Sequence, residues 1–239
     1  MGALEIQTIF TLTMFGMEIP ITETVIVSWG VMLILIVASL LLTRKLKQIP
    51  TGPQAILETG VEFLNNFAKN QFGSFSKHLG PYIGTLFLFL FLGNIIGILS
   101  PVEVKAFGRE FIPPFLIRPP ARDINVTAAL GVISISLTII CGFAARGFVG
   151  WFKQLFHPLP VMLPFNIMDY GTRLLSLTLR LFGNMVGGLV MMYLIEGVLP
   201  VVLPAIMALY FDLFDGILQA GIFVFLTSLY IAEAVKLEE

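Results

Sequence analysis

Residues 174–196, LLSLTLRLFGNMVGGLVMMYLIE, form the stretch that decides the fold. The stretch is long and apolar enough for a membrane helix, yet it contains Arg180, which lies near the middle of the apolar run 161–199. A charged side chain in the centre of a membrane helix costs at least about 2.5–3.5 kcal/mol on insertion scales. Such a residue is retained where it faces water, a partner charge or a protein interface. The stretch therefore predicts a membrane helix whose arginine works at an interface.

The composition of the whole chain agrees with a membrane protein. Of its 239 residues, 57% are hydrophobic and only 12% are charged, whereas soluble domains carry about 25% charged residues. These values exclude an ordinary soluble enzyme and a disordered chain, because too few groups remain to solvate a surface. The net charge of −1 leaves no basic excess for a nucleic acid.

The apolar runs predict an all-α, polytopic membrane protein that forms a single membrane domain over residues 1–239. A membrane span needs about 20 apolar residues, and the last two runs exceed that length, so they are expected to tilt. We expect about five membrane-embedded helices, at residues 24–43, 79–102, 124–145, 161–199 and 204–235.

A further helix is predicted between the first two spans, at residues 54–77. Its apolar residues recur at helical spacing, and Glu58 and Glu62 lie on the opposite stripe. Such a helix lies on the membrane surface or packs against other protein, and the pattern alone allows both.

The basic residues predict the orientation. Arg44, Lys45 and Lys47 directly follow the first span, and cytoplasmic loops are enriched in such residues. The N-terminus is therefore expected outside and the C-terminus inside. No positively charged segment precedes the first span, so we expect no cleaved signal peptide.

The sequence offers no catalytic or metal-binding constellation. Cys141 is the single cysteine, and His78 and His157 fall in predicted loops. An intramembrane hydrolase would need a Ser/His set, paired aspartates on different elements or a His/Glu metal set. We expect no enzymatic activity, no cofactor and no metal.

The polar residues of the last two helices form an ordered pattern. Acidic residues gather toward the outer end and the inner end, and Arg180 and Gln219 lie between them. The outer set is Glu196, Asp212 and Asp215, and the inner set is Asp169 and Glu233. Such acids in two offset, water-accessible pockets could pass a cation in from opposite sides while a fixed positive charge blocks a leak.

Spacing adds three details to this pattern. Asp212, Asp215 and Gln219 lie at i, i+3 and i+7, on one face of an α-helix. Arg173 and Asn184 share a face with Arg180, and Arg173 is near enough to the inner end to act as an anchor. Internal salt bridges, such as Arg180 to Asp212, are the alternative reading of these charges.

Four motifs together resemble subunit a of the F-type ATP synthase membrane sector. They are LRLFGNM at residues 179–185, DINVT at 123–127, GN at 93–94 and QAGIF at 219–223. The resemblance covers about residues 22–235 in the same order and spacing.

The resemblance implies a non-catalytic stator subunit beside a rotating ring of c subunits. By resemblance, Arg180 is the family's essential arginine, accompanied by Gln219 and Asn184, and Asp212 falls in the outer half-channel. Leu189 stands where many members have an acidic or histidine side chain, and Glu196 or Asp215 is expected to supply the missing group.

The remaining expectations concern partners and location. The resemblance implies contacts with the c-ring, the b subunits of the peripheral stalk and membrane lipid. The short N-terminus and the lack of a targeting segment favour a bacterial plasma membrane, with an organelle inner membrane as the alternative. The coupling ion is expected to be the proton, with Na⁺ as the alternative. An independent transporter remains a second class of function, although the sequence shows no substrate site of its own.

Overall fold

A computed structural model describes residues 8–14, 17–44, 46–48, 52–99, 104–106, 109–111, 119–156, 159–196, 207 and 209–235. Six α-helices lie in this part of the chain. They are α1 (Glu23–Thr43), α2 (Pro53–Phe72), α3 (Ser76–Ile95), α4 (Ile124–Leu155), α5 (Leu163–Glu196) and α6 (Gly216–Val235). A π-helical segment, Leu209–Asp215, leads directly into α6.

Five helical stretches of the described chain are long and apolar enough to cross a membrane. They are Glu23–Thr43, Gln54–Ile95, Ile124–Lys153, Pro160–Met192 and Leu213–Val235. The predicted all-helical membrane architecture is confirmed. The second stretch is long because α2 continues into α3 through a short 3₁₀ turn, Gly73–Phe75.

Two small antiparallel hairpins accompany the helices, and the sequence patterns did not predict them. Strands β1 (Thr8–Met14) and β2 (Met17–Thr22) pair with Met14 opposite Met17, and β2 leads directly into α1. Strands β3 (Val104–Ala106) and β4 (Arg109–Phe111) form the second hairpin. The first hairpin is rich in threonine and isoleucine, residue types that favour strands.

Helix α4 is broken at Gly147, where φ is 71° and ψ is 165°. Glycine tolerates this positive φ because it lacks a Cβ. Beyond the break, the ring of Trp151 packs against Phe143, with the ring centroids 4.5 Å apart. The regular part of α4 therefore ends close to residue 145, and the rest of the helix is a separate segment.

The chain groups into two compact units. The first comprises Met1–Ala38, Phe89–Thr127 and Leu181–Ala220, and the second comprises Ser39–Leu88, Ala128–Arg180 and Gly221–Glu239. In the first unit, the buried Asp123 directly precedes α4. Its carboxylate accepts hydrogen bonds from the Thr24 hydroxyl at 2.8 Å and from the Asn125 backbone N–H at 2.9 Å. This cap joins the start of α4 to the start of α1.

The second unit has its own apolar core. Its large, fully buried apolar side chains include Ile83 of α3, Leu177 of α5, and Phe223 and Ile231 of α6. The hydroxyl groups of Tyr82 on α3 and Ser134 on α4 lie 3.3 Å apart and form a hydrogen bond. Helix α5 therefore contributes Leu177 to this core, whereas Leu175 and Leu179 of the same helix are exposed.

Candidate functional site

Helix α5 has a closed side and an open side. On the closed side, Leu177 and Leu181 are buried, and Gly188 lies against the Phe211 ring. On the open side, a Cβ added at Gly183 or Gly187 would meet no described atom of another element within 4 Å. The residues predicted to share one face, Arg173, Arg180 and Asn184, lie at the border between these two sides: Arg173 and Asn184 contact the last helix, whereas Arg180 is exposed.

Arg180 lies on the open side. Its side chain is exposed, and it forms no ion pair with any side chain that the structure describes. Asp212 is the alternative salt-bridge partner of Arg180 that the sequence suggests, and the side chain of Asp212 lies outside the described residues. Because Gly183 and Gly187 add no bulk on this side, a neighbouring helix can approach the guanidinium closely.

Asn184, one turn beyond Arg180, is bonded to the last helix. Its Nδ2 donates a hydrogen bond to Oε1 of Gln219 at 2.7 Å. Gln219 is only 1% exposed, and its buried Nε2 has no hydrogen-bond partner among the described atoms. The two amides that the sequence singled out are therefore brought together, with one donor left for a water or an incoming group.

Arg173, near the start of α5, is enclosed. Its guanidinium lies 2.6 Å from the Asp169 carboxylate and 2.9 Å from the Glu233 carboxylate. It also lies over the Tyr230 ring, 4.7 Å from the centroid. The structure thus brings together Arg173 and both predicted inner acids, and these charges join α5 to α6 within the second unit.

The predicted outer acids are only partly described. Asp215 is half-buried at the end of the π-helical segment, and the backbone of Asp212 lies within that segment. The side chains of Asp212 and Glu196 lie outside the described residues. Asp212 and Asp215 precede α6, so the α-helical spacing behind their shared face with Gln219 does not hold there. A π-helix bonds i to i+5, which changes the direction of each side chain.

Comparison with known proteins decides the family. The family model described as "ATP synthase A chain" matches residues 25–232. The chain belongs to this family. A curated relative, "ATP synthase subunit a, sodium ion specific" of Propionigenium modestum, is 37% identical over 216 residues, which cover 90% of this chain and 75% of the relative.

Membership in the ATP synthase A chain family confirms the resemblance drawn from the four motifs. It makes the chain an ion-translocating, non-catalytic stator subunit of the membrane sector of ATP synthase, and a multi-pass membrane protein. Within the described part of the chain, no group of three or more His, Cys, Asp or Glu side chains could hold a metal ion.

Sequence reasoning missed one contact of the site. The side chain of Asn94, at the end of α3, donates a hydrogen bond to the Gly216 carbonyl oxygen at 3.1 Å. The sequence marked Asn94 only as part of a short motif, because nothing in the pattern of α3 shows which residue a buried amide meets. Polarity inside an apolar run was the available signal.

Proposed function

We propose that this chain carries ions between two offset half-channels and the carboxylates of a rotating c-ring, with Arg180 separating the two channels. The observation that carries the proposal is the contrast within α5: Arg180 is exposed beside open glycines, whereas Arg173 is already paired with two carboxylates. An exposed arginine that no described side chain pairs is placed to receive a carboxylate from a passing subunit.

The physical sequence begins with the ring carboxylate. In lipid this group must be neutral, because an unpaired buried charge is costly. Beside Arg180, two unit charges 4 Å apart attract by about 4 kcal/mol at an effective dielectric near 20. That attraction favours the ionised carboxylate, so its cation leaves into one half-channel. The carboxylate returns to lipid only after a cation from the other half-channel neutralises it.

Arginine suits this position because its guanidinium stays charged at any relevant pH. A lysine in a dry site could lose its proton and let the ring carboxylate pass without exchange. The membrane potential supplies the direction, at about 2.3 kcal/mol per charge for each 100 mV. Gln219 and Asn184 fix the neighbouring turn, and the buried Nε2 of Gln219, without a hydrogen-bond partner among the described atoms, offers a donor there.

We assign the acidic residues to the two half-channels by their positions. Asp212, Asp215 and Glu196 are proposed for the outer half-channel, where one of the last two replaces the family's usual group at Leu189. Asp169 and Glu233, whose side chains are 51% and 63% exposed, are proposed for the inner half-channel, with Arg173 holding them in place.

The test of Arg180 is its replacement in the complete ATP synthase. Arg180→Ala is expected to abolish ion-coupled ATP synthesis while the subunit stays in the membrane with the complex. Leu179→Ala is the matched control, because Leu179 is the exposed neighbour and carries no charge. Gln219→Leu should impair coupling less than Arg180→Ala. Normal synthesis in the Arg180→Ala complex would refute the proposal.

The proposed neighbour of the open side is the c-ring. A Cys141→Ser background leaves no other cysteine, so Gly187→Cys, on the open side, can be cross-linked to cysteines placed on the ring. We expect cross-links to the ring from Gly187→Cys and none from Ile83→Cys, which is fully buried. The b subunits of the peripheral stalk are proposed as the stationary partners, and they should copurify with the chain.

The proposed orientation places the N-terminus outside a bacterial plasma membrane and the C-terminus in the cytoplasm. In the same Cys141→Ser background, Ile9→Cys and Leu46→Cys provide exposed positions on either side of α1. A membrane-impermeant thiol reagent added to intact cells should label the first and not the second. The reverse pattern would overturn the orientation.

The proposed coupling ion is the proton. Na⁺ is the second candidate, because the relative from Propionigenium modestum is named as sodium ion specific. The two candidates differ in one measurement, the dependence of ATP hydrolysis and ion pumping on Na⁺ at fixed pH. Pumping that is unchanged without Na⁺ supports the proton, and pumping that requires Na⁺ supports sodium.

A further inference from the structure

The last helix changes its winding just before the proposed ion pathway. Residues Leu209–Asp215 are π-helical, and α-helical winding begins at Gly216. Bonds from i to i+5 add about one residue to each turn relative to an α-helix. The direction of Asp215 relative to Gln219 therefore depends on the residue at which the π-helical segment ends. Such π segments inside helices are frequent at functional sites.

Asn94 contacts the last helix at Gly216, the residue where α-helical winding begins. It is only 1% exposed, and its Nδ2 donates to the Gly216 carbonyl oxygen at 3.1 Å. A Cβ added to Gly216 would lie 3.1 Å from the Asn94 Cβ, which is closer than most real contacts of this kind. Glycine at 216 thus lets the two backbones approach until the amide reaches the carbonyl. The 3₁₀ turn that follows α3, Ile96–Leu99, packs against the π-helical segment itself.

A second amide bond fixes the next turn of the same helix. Asn184 of α5 donates to Gln219, which lies three residues beyond Gly216. The start of α6 is therefore held at two successive turns, by Asn94 from α3 and by Asn184 from α5, all within the first unit. Two anchors from different helices fix both the position and the rotation of a helix end.

We propose that Asn94 is a positioning residue for ion transfer. By holding the Gly216 carbonyl, it fixes the residue at which the π-helical segment gives way to α6, and so fixes the direction of Asp215 relative to Gln219. The inference rests on the proposed function, because it concerns residues assigned to the ion pathway. Asn94 itself touches the backbone of the last helix and not the moving ion.

The test replaces the donor by an apolar side chain of similar size, Asn94→Leu, in the complete ATP synthase. ATP synthesis and ATP-driven ion pumping are expected to fall about tenfold with normal amounts of assembled complex, as for the loss of a buried hydrogen bond. Asn94→Ser keeps a hydrogen-bond donor, so its ATP synthesis and ion pumping should lie between those of the parent complex and of Asn94→Leu. Asn125→Leu is the control, since the exposed Asn125 side chain lies in the same unit.

A readout of direction separates positioning from folding. In a Cys141→Ser background, single cysteines at positions 213–219 are labelled with a water-soluble thiol reagent. With Asn94 present, the labelled positions should break from α-helical periodicity before residue 216. With Asn94→Leu, the break should shift or vanish. An unchanged labelling pattern, or synthesis within twofold of the parent, would overturn the proposal.

Gly216→Ala attacks the same contact from the other side. Its added Cβ would press on the Asn94 Cβ. The double variant Gly216→Ala with Asn94→Ser should therefore lose less ATP synthesis than the two single variants lose in sum. Additive effects count against the proposal, and this pair decides the matter if Asn94→Leu does not assemble. Arg180→Ala separates a failure of the proposed function from a failure of this inference. Full ATP synthesis in the Arg180→Ala complex would defeat the proposed function, whereas full synthesis in the Asn94→Leu complex would defeat only the positioning role of Asn94.

Discussion

Arg173 and Arg180 lie two helical turns apart on α5, yet their surroundings are opposite. Arg173 is enclosed by the carboxylates of Asp169 and Glu233 and by the Tyr230 ring. Arg180 is exposed, and no described side chain forms an ion pair with it. The same residue type on one helix is therefore an internal link in one place and, among the described side chains, an exposed charge without an ion pair in the other.

The difference shows that existing ion pairs, more than position along the helix, decide whether a membrane arginine can bind a further carboxylate. A guanidinium that already holds two carboxylates must release one before it can bind another. An unpaired guanidinium on an open face meets each passing carboxylate at no such cost. Both inner acids are more than half exposed, so solvent weakens their attraction to Arg173, and we expect a modest stabilising role.

The largest expected effect comes from neutralising each arginine in turn. Arg180→Gln should lower coupled ATP synthesis roughly 10³-fold, as expected for losing about 4 kcal/mol of attraction. Arg173→Gln should lower it only a few-fold and should instead lower the thermal stability of the subunit. ATP synthesis and melting temperature, measured on both complexes, check this double dissociation. Equal losses of synthesis would erase the proposed distinction.

A second experiment fills the open side of α5. Gly183→Leu should lower coupling about tenfold if a rotor helix packs there, because overpacking a contact typically costs 1–3 kcal/mol. The stability of the isolated subunit should not fall, since no described atom of another element lies within 4 Å of a Cβ at Gly183.

Gly171→Leu is the matched control for this change. It lies on the same helix and also meets nothing within 4 Å, but helical geometry places it on the side opposite Arg180. Equal losses from both variants would mean that the rotor does not select the Arg180 side.

A third experiment fills the closed side of α5. A Cβ on Gly131 of α4 would lie 2.7 Å from the Thr178 hydroxyl oxygen and 3.0 Å from Leu174 Cδ1. Gly131→Ala should therefore destabilise the subunit by about 1–3 kcal/mol through overpacking. Thermal unfolding of the purified subunit measures this, and Gly183→Ala should not lower the melting temperature, because alanine favours a helix and meets no described atom of another element there. A stable Gly131→Ala variant would show that α4 and α5 are packed less tightly than the structure indicates.

The smallest effect is expected from removing one carboxylate of the internal link. Glu233→Gln leaves Arg173 with Asp169, so the loss of stability should be about 0.5–1 kcal/mol, in the range of partly exposed ion pairs. The difference should shrink as salt is added, because exposed charges are screened. Melting temperatures at low and high salt give the comparison, and a salt-independent difference would point to lost packing instead.

Much of the helical architecture could be predicted because hydrophobic burial in a bilayer leaves a direct trace in the sequence. A backbone in lipid must satisfy its own hydrogen bonds, so an apolar run of sufficient length has few alternatives to a helix. The first hairpin was missed because it lies outside any apolar run of that length. The π-helical segment was missed because the residues at 209–215 also fit an α-helical pattern.

The candidate site divides in the same way. Arg180, Asn184 and Gln219 could be selected because polar groups inside apolar helices stand out, whatever their partners are. Which groups they meet could not be predicted. The bonds from Asn184 to Gln219 and from Asn94 to Gly216 join residues that are distant in the chain, and many helix rotations would satisfy the same hydrophobic pattern.

The sequence alone thus determined that this protein is a bundle of membrane helices with one arginine near the middle of a span, since the cost of charge and of unpaired backbone in lipid acts on every residue locally. Only the tertiary structure decided which arginine is paired and where the last helix changes its winding. Those outcomes depend on how α3, α4, α5 and α6 pack within each unit, and packing is settled by contacts between distant segments.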